Sequence, residues 1–554
     1  MARSLPVVAS ALLGLVAAQH PGSAPEIHPR LKTWKCTIEG GCVEQNTAIV
    51  LDSLAHPVYQ INTPEYNCGD WGNPPNATAC PDVETCQANC VMDGISDYSE
   101  FGIVTEDGTL HLQQLSEDGA LVTPRVYLLA EDEQTYEMLY LTGQEFSFDV
   151  DVSRLPCGMN GALYLSEMLP DGGQSELNTG GAYYGTGYCD AQCYTTPFIN
   201  GEPNLEGYGS CCNELDIWEA NSRSTLLAPH PCNKTGLYLC SGEECGWDGV
   251  CDEWGCAYNP YQNGNPDYYG LGMRVNTSRP FTVVTQFPAD EDGILREYHR
   301  IYIQDGRIIR NAPTQLDNLP KQNFMDDEYC IATGSATRYM DLGATAGMGA
   351  SMSRGMVLAM SIWWDEGGNM QWLDGTDRGP CNATEGAPSN IRNIQPDTAK
   401  AFYASKSERC EHSRRDGLSL CNAGGDLNCI STETEDNKGI RYDPPEKPDR
   451  CYPREAFEND HITYSGAVDF LSAGFSAIAL AQDVRVYTGT NYDFDFQIRR
   501  VRGDGTCHYA ASIGSRFVII WVNLPATLIT SKNVGPLRVN SSATQFAAKG
   551  ALYA

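Results

Sequence analysis

The chain has 554 residues and a formal net charge of −34, with 37 Lys and Arg against 71 Asp and Glu. So acidic a chain repels nucleic acid and anionic membrane surfaces, and neither is expected as a partner, whereas a neutral polymer is indifferent to the charge. From residue 403 onward 17 basic and 18 acidic side chains nearly cancel, so the acidity belongs to the part before it.

Residues 1–18 read as a secretory signal peptide. Arg3 precedes a mostly apolar run from Leu5 to Val16, and Val16-Ala17-Ala18 supplies small residues for cleavage. The run is too short to span a bilayer, so the expectation is a soluble, secreted, extracellular monomer beginning at Gln19. Cysteine usage points the same way. Of 23 cysteines, eighteen lie between Cys36 and Cys381, an even number that fits a disulfide framework formed in an oxidising compartment. Zinc is the competing use, but there are only nine His and no Cys pairs recur at finger spacing, so neither a metal nor an organic cofactor is expected. Sequons at Asn76, Asn233, Asn276, Asn382 and Asn540 suit a secreted glycoprotein.

Through the cysteine-rich part, turns rich in Gly, Asn and Asp separate short β-prone runs such as Val126–Leu129, Phe281–Val284 and Met356–Met360. This pattern predicts an all-β, antiparallel, disulfide-rich sandwich and not alternating strand and helix units.

One stretch between those runs carries chemistry: Cys211-Cys212-Asn213-Glu214-Leu215-Asp216-Ile217-Trp218-Glu219-Ala220-Asn221. Glu214 and Asp216 alternate with Leu215 and Ile217, the period of a strand with one polar and one apolar face. Glu219 breaks the alternation, because five steps along a regular strand turn a side chain to the opposite face. A β-bulge near Trp218 would return it to the acidic face, and bulges are common where a strand re-aims a side chain at an active site. Two carboxyls so gathered suit a retaining glycosidase, in which one is nucleophile and the other acid/base. A solvated surface strand or a Ca²⁺ site is the alternative for the bare pattern.

The stretch, with its paired cysteines, closely resembles the active-site strand of glycoside hydrolase family seven, the fungal cellulases that include cellobiohydrolases and endoglucanases. The resemblance extends through Gln144 to Val152, Leu155-Pro156-Cys157-Gly158, Asn160 to Tyr164, Tyr184 to Cys193, Ala228 to Cys232, Met360 to Trp363 and Gln371 to Asp374. It implies a concanavalin-like jelly-roll sandwich with a long substrate cleft. It also implies Glu214 as nucleophile, Glu219 as acid/base and Asp216 as the group that orients and charges Glu214. Asn160, Tyr164, Tyr188, Asp190, Gln192, His230 and Arg378 match polar positions along the cleft, and Trp363 and Trp372 match its sugar platforms, while Trp364 should face the core. The implied disulfides are Cys36–Cys42, Cys68–Cys90, Cys80–Cys86, Cys157–Cys381, Cys189–Cys212, Cys193–Cys211, Cys232–Cys251, Cys240–Cys245 and Cys256–Cys330.

The expected organisation is therefore a signal peptide (1–18), a catalytic domain (19–404) and an extension (405–554). The extension departs from the family at Ser405 and carries five cysteines, Cys410, Cys421, Cys429, Cys451 and Cys507. An added small domain, a disordered segment and non-native sequence all stay open for it, the last two favoured. Near Ser53–Tyr59 the tryptophan usual at the far end of the cleft is missing. Short spans from Glu206 to Ser210 and from Leu373 to Pro380 stand where exo-acting members carry long covering loops, so the expected activity is endo cleavage of β-1,4 bonds in cellulose or a related β-glucan. A processive cellobiohydrolase and a lectin-like polysaccharide binder on the same fold are the alternatives.

Overall fold

The computed structural model describes residues 20–37, 41–106, 108–116, 118–317, 321–334, 336–392 and 400–404, and beyond these only strands between His461 and Leu552. Expectations for residues 1–18 and for Cys410, Cys421, Cys429 and Cys451 fall outside the described residues. The chain divides into two compact units, Met1–Cys36 with Cys42–Ser407 and Thr37–Gly41 with Glu408–Ala554. In the second unit a five-stranded antiparallel sheet runs in the order His461–Tyr464, Val484–Thr490, Arg516–Asn523, Thr506–Ile513, Gln497–Ile498. Among the described residues no helix is long and apolar enough to cross a membrane.

The first unit is built on thirteen principal strands: β1 (Ala48–Leu51), β2 (Ile103–Glu106), β3 (Thr109–Gln113), β4 (Arg125–Leu129), β5 (Glu145–Asp151), β6 (Met159–Ser166), β7 (Glu214–Ala220), β8 (Thr225–His230), β9 (Phe281–Gln286), β10 (Tyr298–Gln304), β11 (Arg307–Arg310), β12 (Met356–Trp364) and β13 (Lys400–Ala404). One sheet runs β8-β7-β6-β12-β4-β1, and the other β11-β10-β9-β5-β13-β3-β2. Neighbouring strands in both are antiparallel.

Alternation along each strand makes the sandwich. In the first sheet Ile49, Leu51, Val126, Leu128, Leu163, Leu165, Leu358 and Met360 meet Leu110, Leu112, Phe148, Val150, Phe281 and Val283 of the second in one apolar core. The intervening residues Val50, Tyr127, Ala162, Tyr164, Val357 and Ala359 lie on the face turned away from that core. Trp364 joins the core while Trp363 does not, as the two-residue period requires. At the centre sits Trp218, fully buried, its ring edge-on to Phe148, Tyr269, Phe281 and Tyr302 at centroid distances of 6.0–6.3 Å.

All eighteen cysteines from Cys36 to Cys381 form nine disulfides, in the pairing the resemblance implies. Cys157–Cys381 closes a span of 224 residues, for which the chain-entropy argument gives about 5 kcal/mol of stabilisation. Trp218→Ala empties the centre of the core and should lower stability by about 3–5 kcal/mol, read as a fall in the denaturant midpoint. A fall below about 1 kcal/mol would mean that the core is not centred there.

Candidate active site

Strand β7 is irregular where the sequence demands it. Against β8, Asp216 pairs with Ala228 and Glu219 with Leu226, three steps opposite two. Against β6, Leu215 pairs with Leu165 and Trp218 with Leu163, again three opposite two. Ile217 and Trp218 therefore both enter the core, and Glu219 returns to the face of Glu214 and Asp216. Without the extra residue the Glu219 carboxyl would point among Phe148, Phe281 and Tyr302, at a desolvation cost of several kcal/mol. The bulge is thus set by two apolar side chains claiming adjacent core positions.

Arg300 reinforces it from the second sheet. The strand alternates Tyr298, Arg300, Tyr302 into the core, and the Arg300 guanidinium lies over the Trp218 ring at 5.5 Å and donates to the carbonyl of Ile217, inside the bulge. Burial lowers its pKa, against the pull of Tyr302 beside it.

The three carboxylates are all nearly buried, at 5%, 6% and 8% exposure for Glu214, Asp216 and Glu219. Glu214 Oε2 accepts the backbone N–H of Ala191 at 2.9 Å. That donor is fixed because Cys189 and Cys193, on either side, are tied to Cys212 and Cys211 at the entry to β7. Asn213 anchors the same entry, donating to Glu167 at 2.7 Å and accepting from the Cys232 N–H at 2.7 Å. Asn160, wholly buried, donates to Glu219 Oε1 at 2.7 Å and accepts the backbone N–H of Ala220 at 3.2 Å, so one amide sets both the side chain and the strand behind it. Asn160, expected at a polar position along the cleft, here holds Glu219 and the strand behind it.

His230 lies opposite Glu214 across the β7–β8 pair. Its Nδ1 donates to the carbonyl of Asp252 at 2.9 Å, and its Nε2 meets Asp216 Oδ2 at 2.9 Å. Burial opposes a charged ring, but the Asp216 hydrogen bond and the charges of Asp216, Glu214 and Asp252 outweigh it and push His230 up to about 10. Burial, then Asp216 and Asp190, raise Glu214 well above the usual carboxylate range, with His230 and the Ala191 N–H pulling it back. Burial and Asp216 raise Glu219 likewise, against Asn160 and His230. The cluster holds a proton near neutrality while Asp216 and His230 form an ion pair within it.

The remaining predicted residues fall in two groups. Trp363 and Trp372 stack on each other, centroids 5.9 Å apart at 26°, both partly exposed beside Leu226 and Ala228 of β8, and the Arg378 guanidinium donates to the Trp372 carbonyl at 3.3 Å. Tyr164 and Tyr188 share a hydroxyl contact of 3.2 Å. Asp190, pushed up to about 6 by burial against the pull of Arg125, accepts the Cys193 N–H at 2.9 Å, and Gln192 reaches the Glu253 carbonyl at 3.5 Å.

Sequence reasoning missed Arg125, which pairs with Asp52 at 2.9 Å and lies over the rings of Tyr188 at 3.5 Å and Trp71 at 4.8 Å. This stack stands at the end of the sheet where the usual tryptophan is absent. Arg300 was missed too, although its place between two strand tyrosines signals a charge directed inward.

The family model for glycosyl hydrolase family 7 matches residues 21–407. Endoglucanase EG-1 of Humicola insolens is 59% identical over 390 residues, 70% of this chain and 89% of that protein. The native structure of the Humicola insolens endocellulase EGI superposes with a TM-score of 0.68 at 57% identity, covering 70% of this chain and 98% of that one. A family 7 cellobiohydrolase from Daphnia pulex superposes with a TM-score of 0.65 at 34% identity, over 70% and 98% of the two chains.

Two outcomes follow from this geometry. His230→Asn removes a cation that lowers the pKa of both glutamates, so both limbs of the pH–rate profile should move to higher pH; unmoved limbs would separate His230 from the carboxylates. Arg300→Met should cut kcat roughly 10- to 100-fold by loosening the bulge, with KM little changed and partial recovery in Arg300→Lys. A KM effect alone would contradict the bracing role.

Proposed function

The chain belongs to glycosyl hydrolase family 7, and we propose that within it this protein is a secreted, retaining endo-β-1,4-glucanase acting on internal bonds of cellulose or a related β-glucan. It is a glycoside hydrolase. The reading of its site rests on one observation above the others, the bulge that gathers Glu214, Asp216 and Glu219 on one face beside His230. The catalytic unit is taken as residues 19–404, with the 405–554 extension outside the chemistry.

In the first step a Glu214 carboxylate oxygen bonds to the anomeric carbon as the glycosidic C–O bond breaks, and Glu219 gives its proton to the departing oxygen. In the second, water attacks the same carbon, Glu219 takes the water's proton, and the bond to Glu214 breaks. Glu214 must therefore be ionised while Glu219 holds a proton. The Ala191 N–H and the His230 charge favour the anion at Glu214, against burial and the charges of Asp216 and Asp190. At Glu219 burial and then the neighbouring Asp216 favour the protonated form, against the Asn160 amide and His230. All of this is done by side chains and one backbone N–H.

Endo action is supported by the nearer likeness to endoglucanases than to a cellobiohydrolase and by the short spans 206–210 and 373–380. Eighteen disulfide-bonded cysteines support secretion. Proton NMR of freshly released products should show the β anomer first, and the viscosity of carboxymethylcellulose should collapse before reducing ends accumulate. An initial α anomer would exclude double displacement; mainly cellobiose with little viscosity loss would mean exo action.

A further inference from the structure

The carboxylates sit on the second strand from one end of the sheet. Across the row β1, β4, β12, β6, β7, β8, four strands lie to one side of β7 and a single strand, β8, to the other. A glucan laid across the strands therefore has four strands beneath it on one side of the cleavage point and soon passes off β8 on the other.

The segment beyond β8 is cross-linked and closely applied to it. Leu227 bridges to Tyr258 and Cys232 to Cys251, and the Asp252 carbonyl accepts from His230. Gly255 sits at φ +62°, and a Cβ there would come within 2.8 Å of the His230 ring and 2.7 Å of the Pro229 carbonyl, so the turn from Asp252 to Gly255 wraps the histidine. Disulfides Cys232–Cys251, Cys240–Cys245 and Cys256–Cys330 hold the segment at three points. Gln192 ties the turn to the loop whose N–H holds Glu214.

At the tip of this turn Trp254 is 55% exposed, and Trp247 beside it is 54% exposed, the two rings 5.4 Å apart at 69°. Two indoles left in water on a cross-linked scaffold, one of them on the turn that packs against His230, form a ready apolar surface. Their neighbours select the occupant: Glu243, Glu244, Asp248 and Glu253 flank them in sequence against one cation, Arg338, which donates to the Gly249 carbonyl, a net negative setting that disfavours polyanions and suits a neutral sugar ring, apolar on its faces and hydroxylated at its edges.

We propose that Trp254 and Trp247 form a stacking shelf for the glucosyl units that extend past the scissile bond over β8. This rests on the hydrolase reading above and adds to it a binding site outside the sheet. The shelf makes productive binding depend on chain length on that side.

The test uses the full chain and cellopentaose labelled with ¹⁸O at its reducing end, so that mass spectrometry assigns each cleaved bond. Trp254→Ala and Trp247→Ala should each deplete the cleavage modes at one end of the pentamer, lowering kcat/KM for those modes roughly 3- to 10-fold. The modes at the other end and the rate on 4-nitrophenyl β-cellobioside should stay within about twofold, and thermal midpoints should match the parent. Trp254→Phe, which keeps a ring, should recover most of the lost modes. Unchanged cleavage patterns in both alanine variants would overturn the shelf and leave the hydrolase reading standing, as would an equal loss on every substrate and mode. No cleavage of cellopentaose by the parent would overturn the hydrolase reading and the shelf with it.

Discussion

Between Asp216 and Glu219 the strand takes three steps where both of its neighbours take two, and that mismatch joins the core to the chemistry. Ile217 and Trp218 are adjacent in sequence and both belong inside the sandwich. Satisfying both forces the backbone to insert a residue, and the insertion swings Glu219 back beside Glu214. The position of Glu219 is thus a consequence of apolar packing on the opposite side of the sheet. Arg300, donating to the Ile217 carbonyl and lying over Trp218, secures the same point from the second sheet.

The electrostatics follow from where the bulge leaves the acids. Three carboxyls in a nearly closed space cannot all be charged without a cation, and His230, held as a donor on both ring nitrogens between Asp252 and Asp216, supplies it. Backbone and amide donors then divide the labour, the Ala191 N–H on Glu214 and the Asn160 amide on Glu219. Neither donor is free to move: one sits between two cross-linked cysteines, the other near the start of a wholly buried strand.

Much of this was legible in the chain. The spacing of Glu214, Asp216 and Glu219 required a bulge, and the bulge is there. The two-residue period separated Trp364 from Trp363 correctly. The nine disulfides came from resemblance alone, since eighteen cysteines allow too many pairings for spacing to choose among. Asn160 was placed along the cleft, but its bonds to Glu219 and the Ala220 N–H were not foreseen, because nothing in a sequence says which group an amide meets. The Ala191 N–H has no signature at all, being backbone. Arg125 and Arg300 were overlooked for another reason: Arg125 opens its strand and Arg300 stands among Arg296, Glu297 and His299, and it is the packed structure that brings aromatic rings from distant parts of the chain under each guanidinium.

The crystal structure of the enzyme trapped by a 2-deoxy-2-fluoro cellobioside with a good leaving group tests this account most directly. The sugar's anomeric carbon should be bonded to a Glu214 carboxylate oxygen, with the Glu219 carboxyl on the same side of the strand and turned towards it. An adduct on any other residue, or a Glu219 side chain directed into the sandwich core, would contradict it.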